Sequence, residues 1–99
     1  MPQRLDPAEI HTALAEMPGW TGDTTGLHRT VELSSFPGAV RAIVAVADVA
    51  EELDHHPDID LRWRTLVFHL STHSAGGVTE RDLILARRID DLLAGDSGD

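Results

Sequence analysis

Two short polar clusters carry the residue types that can move protons: Glu51-Glu52-Leu53-Asp54-His55-His56-Pro57-Asp58 and Ser71-Thr72-His73-Ser74-Ala75-Gly76-Gly77-Val78-Thr79-Glu80-Arg81-Asp82. Three of the six histidines, His55, His56 and His73, fall in them. Imidazole changes charge near neutral pH, so such rings beside carboxylates suit general acid–base chemistry. Pro57 disfavours helical backbone at His56 and so predicts a helix end there, with both rings at its C-terminus. The partial negative charge of that end, and Glu51 one turn before His55, favour protonated rings and give Glu51 an orienting role. A solvated pair capping helix carbonyls accounts for His55 and His56 equally well on these grounds.

A metal site is the competing chemistry, since His55, His56, His69 and His73 could offer nitrogen ligands to zinc. The segment holding His69 and His73 reads as a strand running into a loop, which separates them by about 13 Å at roughly 3.3 Å per residue. No metal site is therefore expected. His11, His28 and His69 read as surface or sheet positions without evident partners.

The surrounding elements follow from periodicity and punctuation. Asp6 before Pro7 is a helix start, with Leu5, Ile10, Leu14 and Met17 at helical spacing and Pro18-Gly19 as the stop. A Gly-Asp-Thr-Thr-Gly turn signature separates two extended segments, the second placing Leu27, Val31 and Leu33 on one face. Ser35 caps a long helix whose stripe of Phe36, Val40, Ile43, Ala47 and Ala50 is widened by Val44, Val46 and Val49. So broad a face predicts deep burial or a second subunit. Leu61 and Trp63 are odd and Leu66, Phe68 and Leu70 even, so a tight turn near Arg64-Thr65 brings both sets to one side of a sheet. Gly76-Gly77 permits a sharp turn, and Thr79-Glu80-Arg81-Asp82 is a capping box with aspartate at its last position. The final helix buries Leu83, Ala86, Ile89, Leu92 and Leu93, shows Arg87, Arg88, Asp90 and Asp91 to water, and ends at Gly95. Paired strands between helices predict an α+β two-layer sandwich, an antiparallel sheet with helices on one face in the order α-β-β-α-β-β-α.

Taken together, Glu51-x-x-Asp54-His55-His56-Pro57, Leu70-Ser71-Thr72-His73 and Gly77-Val78-Thr79-Glu80-Arg81-Asp82 resemble the pterin-4a-carbinolamine dehydratase family. Gly19-Trp20 and the Ser35 helix also fall where the family has theirs, so the resemblance spans Leu14 to Leu93. It implies a four-stranded sheet carrying three helices, assembled as a homodimer or homotetramer. It further implies dehydration of 4a-hydroxytetrahydrobiopterin to the quinonoid dihydropterin, in tetrahydrobiopterin recycling, without metal, nucleotide or redox cofactor. The catalytic set it implies is His55 and His73 as proton-transfer groups with His56 holding the pterin. The implied substrate-binding set is Glu51, Pro57, Thr72, Ser74, Ala75, Asp82 and Trp20, with Thr72 and Pro57 shaping the pocket and Asp82 supporting a histidine across the site. Vertebrate members usually carry an aromatic pair after the His-His-Pro-acid motif, whereas Ile59-Asp60-Leu61-Arg62-Trp63 follows it here, which bears on pterin side-chain preference and on oligomer contacts. Relatives on this fold also serve as dimerisation or assembly factors, so a non-catalytic role is the alternative.

Composition narrows the partners. Eight basic against 17 acidic residues give a net charge of −9 over 99 residues, which repels phosphate backbones and anionic lipid. The chain has no cysteine, hence neither disulfides nor thiolate ligands. Its first residues lack the apolar run of a signal peptide, and no stretch approaches the roughly 20 apolar residues of a membrane span. One soluble, cytoplasmic domain over residues 1–95 is expected, with a disordered tail over 96–99.

Overall fold

In a computed structural model, which describes residues 3–96, the elements run α1 (Pro7–Glu16), β1 (Thr21–Asp23), β2 (Gly26–Glu32), α2 (Phe36–Leu53), β3 (Asp58–Arg62), β4 (Thr65–Leu70), a single 3-10 turn (His73–Ala75) and α3 (Glu80–Asp96). Every strand pairing is antiparallel, in the spatial order β1-β2-β4-β3. The fold is the expected α+β sandwich. Residues 97–99 of the expected tail lie outside the described residues, and α3 continues one residue past Gly95.

Each helix starts where its cap predicts. Asp6 accepts from the Glu9 amide at 2.8 Å while Glu9 accepts from the Asp6 amide at 2.9 Å, closing a capping box with Pro7 behind it. Ser35 Oγ accepts from the Gly38 amide at 3.0 Å. The sheet turns Leu27, Leu66, Phe68 and Leu70 inward onto Ile10, Val46, Val49, Leu85, Ala86 and Ile89, forming one apolar core. Phe68 and its strand neighbours Leu66 and Leu70 are at most 1% exposed, and burying each such side chain contributes about 1.5–3 kcal/mol.

Three packing expectations are corrected. Leu61 does face Leu66 across the β3–β4 pair, but Trp63 leaves the sheet face: it sits in the two-residue turn at φ 54°, is 69% exposed, and stacks under the Arg64 guanidinium at 4.6 Å. The α2 stripe divides. Val46, Val49 and Ala50 are buried and Ile43 is half-buried, whereas Phe36, Val40, Val44 and Ala47 form a separate outward row. On α3, Asp90 turns partly inward, where it accepts from the Trp20 indole N–H at 2.8 Å and pairs with Arg29.

Candidate active site

Helix α2 stops before Pro57 can act on it. Asp54 takes the left-handed conformation at φ 50°, its amide turns back to the Ala50 and Glu51 carbonyls, and the His55 amide bonds Ala50 O at 3.0 Å. This is a Schellman-type ending with aspartate in the place usual for glycine, a residue that tolerates this region better than most. It swings His55 out of the helical register, so Glu51 and His55 do not meet. Glu51 Oε2 instead lies 2.5 Å from His56 Nε2, an exposed pair, and the expected Glu51–His55 contact is corrected accordingly.

The carboxylate that His55 finds is Asp82. Its Oδ1 is 2.6 Å from His55 Nε2, with the aspartate fully buried and the histidine 8% exposed. The second oxygen accepts from the Thr72 hydroxyl at 2.8 Å and the Thr79 amide at 2.9 Å. The donors order themselves. The Arg81 amide donates to Thr79 Oγ at 3.2 Å, so the Thr79 hydroxyl is free to donate to Thr72 Oγ at 2.7 Å, and Thr72 donates to the carboxylate. An ionised carboxylate surrounded by these donors is the arrangement in which a buried charge is tolerated.

Asp82 therefore joins both polar clusters, holding His55 with one oxygen and, with the other, the residue that precedes His73. The capping box supplies its position: Asp82 accepts from the N-cap Thr79 amide at the start of α3. Arg81, beside it, donates to the carbonyls of Asp54 at 3.1 Å and Leu53 at 3.5 Å, pinning the end of α2 to the start of α3. With Nε2 on Asp82, the free ring atom of His55 is Nδ1. Among the described residues the buried side-chain polar atom left without a partner is Arg64 Nε, so His55 Nδ1 keeps contact with the surface. A small cavity of about 70 Å³ opens at His55, lined by Leu53, Arg81 and Ile84.

His73 and Ser74 are exposed on the 3-10 turn, Ala75 and Pro57 are half-buried, and Thr72 is 3% exposed. Gly76 closes that turn at φ 74°, and Gly77 packs so tightly that an added Cβ would lie 2.5 Å from Thr24 O. Trp20 is 3% exposed and packs in the core, with its indole N–H on Asp90. His28 and His69, expected to lack partners, face each other across β2 and β4 with Nδ1 atoms 2.8 Å apart. Strand parity and register could have signalled that pair.

Residues 3–92 match the family model described as pterin 4 alpha carbinolamine dehydratase. A Nocardia farcinica protein provisionally named pterin-4-alpha-carbinolamine dehydratase is 53% identical over 88 residues, covering 89% of this chain and 93% of its own. A Roseiflexus protein (strain RS-1), named in the same way, is 45% identical over 93 residues, covering 94% of this chain and all of its own. Among solved structures, a transcriptional coactivator/pterin dehydratase from Brucella melitensis superposes with a TM-score of 0.87 at 32% identity, over 91% of this chain and 98% of that one. A pterin dehydratase-like protein described as a RuBisCO assembly factor of the alpha-carboxysome shares the fold, with a TM-score of 0.61 at 23% identity over 74% of this chain and 84% of that one. The match of the family model over residues 3–92, with relatives 53% and 45% identical over most of both chains, shows that this chain belongs to the pterin 4 alpha carbinolamine dehydratase family.

Proposed function

We propose that this protein dehydrates 4a-hydroxytetrahydrobiopterin to quinonoid dihydrobiopterin, in tetrahydrobiopterin recycling in the cytoplasm. The observation that carries the reading is the buried His55–Asp82 pair, whose partner Thr72 stands next to the exposed His73. The C4a–O bond breaks as an imidazolium gives its proton to the departing hydroxyl, which leaves as water. The adjacent ring nitrogen's lone pair stabilises the cation, and a base takes the N–H proton to give the neutral quinonoid product. His55, with its Nε2–H committed to Asp82, offers the Nδ1 lone pair as that base, and His73 is the acid. Each positioned group contributes about 10²–10⁴-fold. Exposed His56, paired to Glu51, holds the pterin beside Thr72, Ser74, Ala75 and Pro57.

The outward row of Phe36, Val40 and Val44 on α2, at 49%, 40% and 58% exposure, supports self-association as a homodimer or homotetramer. The same row supports the second reading, a non-catalytic dimerisation or assembly factor, in keeping with the Brucella melitensis neighbour's description as a transcriptional coactivator as well as a pterin dehydratase.

The experiment is dehydration of enzymatically generated 4a-hydroxytetrahydropterin, followed by ultraviolet absorbance, for the native chain and for His73→Ala and His55→Gln. Acceleration over the spontaneous rate, lost in both variants, is the expected result. Native acceleration that survives both refutes the residue assignment, and a native chain without acceleration favours the second reading.

A further inference from the structure

Thr79 has no part in the proton transfers or in pterin binding as assigned above, yet it is 0% exposed and bonded on three sides where α3 begins. Its amide donates to Asp82 Oδ2 at 2.9 Å, its Oγ accepts from the Arg81 amide at 3.2 Å, and its hydroxyl donates to Thr72 Oγ at 2.7 Å. The first two bonds are helix capping. The third is not, because a cap oxygen needs no partner on another segment, and Thr72 lies seven residues back, beside the Thr-His turn.

That third bond sets a direction. Thr72 Oγ receives the Thr79 hydroxyl, so its own proton is committed to Asp82 Oδ2 at 2.8 Å. Donors therefore run one way, from the Arg81 amide through Thr79 and Thr72 to the carboxylate, whose other oxygen faces His55 Nε2 at 2.6 Å. Each bond in a buried chain of this kind polarises the next. Thr72, Thr79 and Asp82 are at most 3% exposed, which leaves little solvent to replace a missing link. With Oδ2 held by two donors, Asp82 keeps Oδ1 on His55 as an acceptor, and an acceptor fixed there keeps the ring proton on Nε2.

We infer that Thr79 is a positioning residue of this site: acting through Thr72 and Asp82, its hydroxyl holds His55 in the Nε2–H tautomer that leaves Nδ1 to the substrate. The use of Nδ1 as a base rests on the dehydratase reading; the hold on the tautomer does not.

Two substitutions separate the hydroxyl from the rest of the side chain. Thr79→Val keeps the shape and the amide and removes only the hydroxyl, whereas Thr79→Ser keeps the hydroxyl and removes the methyl group. Ser35→Ala, which deletes the cap at the end of α2 opposite His55, controls for the loss of a cap alone. For each full chain, kcat and KM for 4a-hydroxytetrahydropterin are measured beside the His55 Nε2–H signal in nitrogen-edited proton NMR. In Thr79→Val, kcat should fall about three- to tenfold, the worth of one net hydrogen bond, at unchanged KM, and the Nε2–H signal should weaken as an Nδ1–H signal appears. Thr79→Ser and Ser35→Ala should keep both readouts. Added to Asp82→Asn, Thr79→Val should have no further effect on kcat. Native kcat and a native His55 signal in Thr79→Val, equal impairment in Thr79→Ser, or a full additive loss over Asp82→Asn overturns the assignment. A native chain that does not accelerate dehydration, but whose His55 signal follows the Thr79 hydroxyl, refutes the dehydratase reading alone and supports the positioning.

Discussion

Asp82 Oδ1 lies 2.6 Å from His55 Nε2, and the same carboxylate receives the amide of Thr79 that opens α3, so one buried group serves both the fold and the histidine. Asp82→Ala leaves His55, Thr72 and the Thr79 amide without their shared acceptor, and should cost about 3–5 kcal/mol of stability. Asp82→Asn keeps the shape and should cost about 1–3 kcal/mol. Urea unfolding of the two variants measures both; equal stability to the native chain would show that the pair contributes nothing.

Glu51 meets His56, not His55, and both side chains are mostly exposed. Glu51→Gln should therefore change stability by less than about 1 kcal/mol. In the dehydration assay it should raise KM more than it lowers kcat, since His56 is assigned to binding. A loss confined to kcat would move Glu51 and His56 into the proton-transfer step.

Gly77→Ala should destabilise by about 1–3 kcal/mol, because the new Cβ meets the backbone oxygen of Thr24 at 2.5 Å and neither strand turn can yield without moving the Thr72–Gly77 bridge. Thermal unfolding measures it, and an unchanged Tm would show that the two turns relax freely.

Glu52 and Arg88 join α2 to α3 through two hydrogen bonds of 2.9 and 3.0 Å, and the guanidinium holds the Glu52 carboxyl below its ordinary value of 4.5. A depressed folded-state value stabilises at pH above 4.5, and that stabilisation disappears as the pH falls through the folded-state value. Glu52→Gln should thus be less stable than the native chain at pH 7 and match it in strong acid. Urea midpoints at the two pH values check this; a constant difference would assign the effect to packing.

Val40→Asp with Val44→Asp places two charges in the exposed row on α2 and should turn a homo-oligomer into monomers without loss of helical signal. Sedimentation velocity decides it, and an unaltered distribution would put the contact elsewhere.

The fold was legible because its punctuation is strong: Asp6-Pro7, Ser35, Gly76-Gly77 and the Thr79–Asp82 box all mark the ends they were expected to mark. The carboxylate partners were harder to read. Helical spacing paired Glu51 with His55, but the left-handed Asp54 breaks that spacing; Asp82 was legible as support for a histidine across the site, and the tertiary meeting of α2 with α3 shows that histidine to be His55. Trp63 was misplaced for a related reason. Alternation predicts faces within a strand, and the turn begins one residue earlier than alternation alone can tell. The His28–His69 pair needed the β2–β4 register, which two strands far apart in sequence do not announce.

The contrast between the two tryptophans gives the protein built-in optical reporters. Trp20 is 3% exposed in the core and Trp63 69% exposed at a hairpin tip, and the chain has no tyrosine to add its own emission. Intrinsic fluorescence is thus the sum of a blue-shifted core component and a red-shifted, quencher-accessible one. Unfolding moves the first, while anything that docks on the β3–β4 tip changes the second and leaves the first in place.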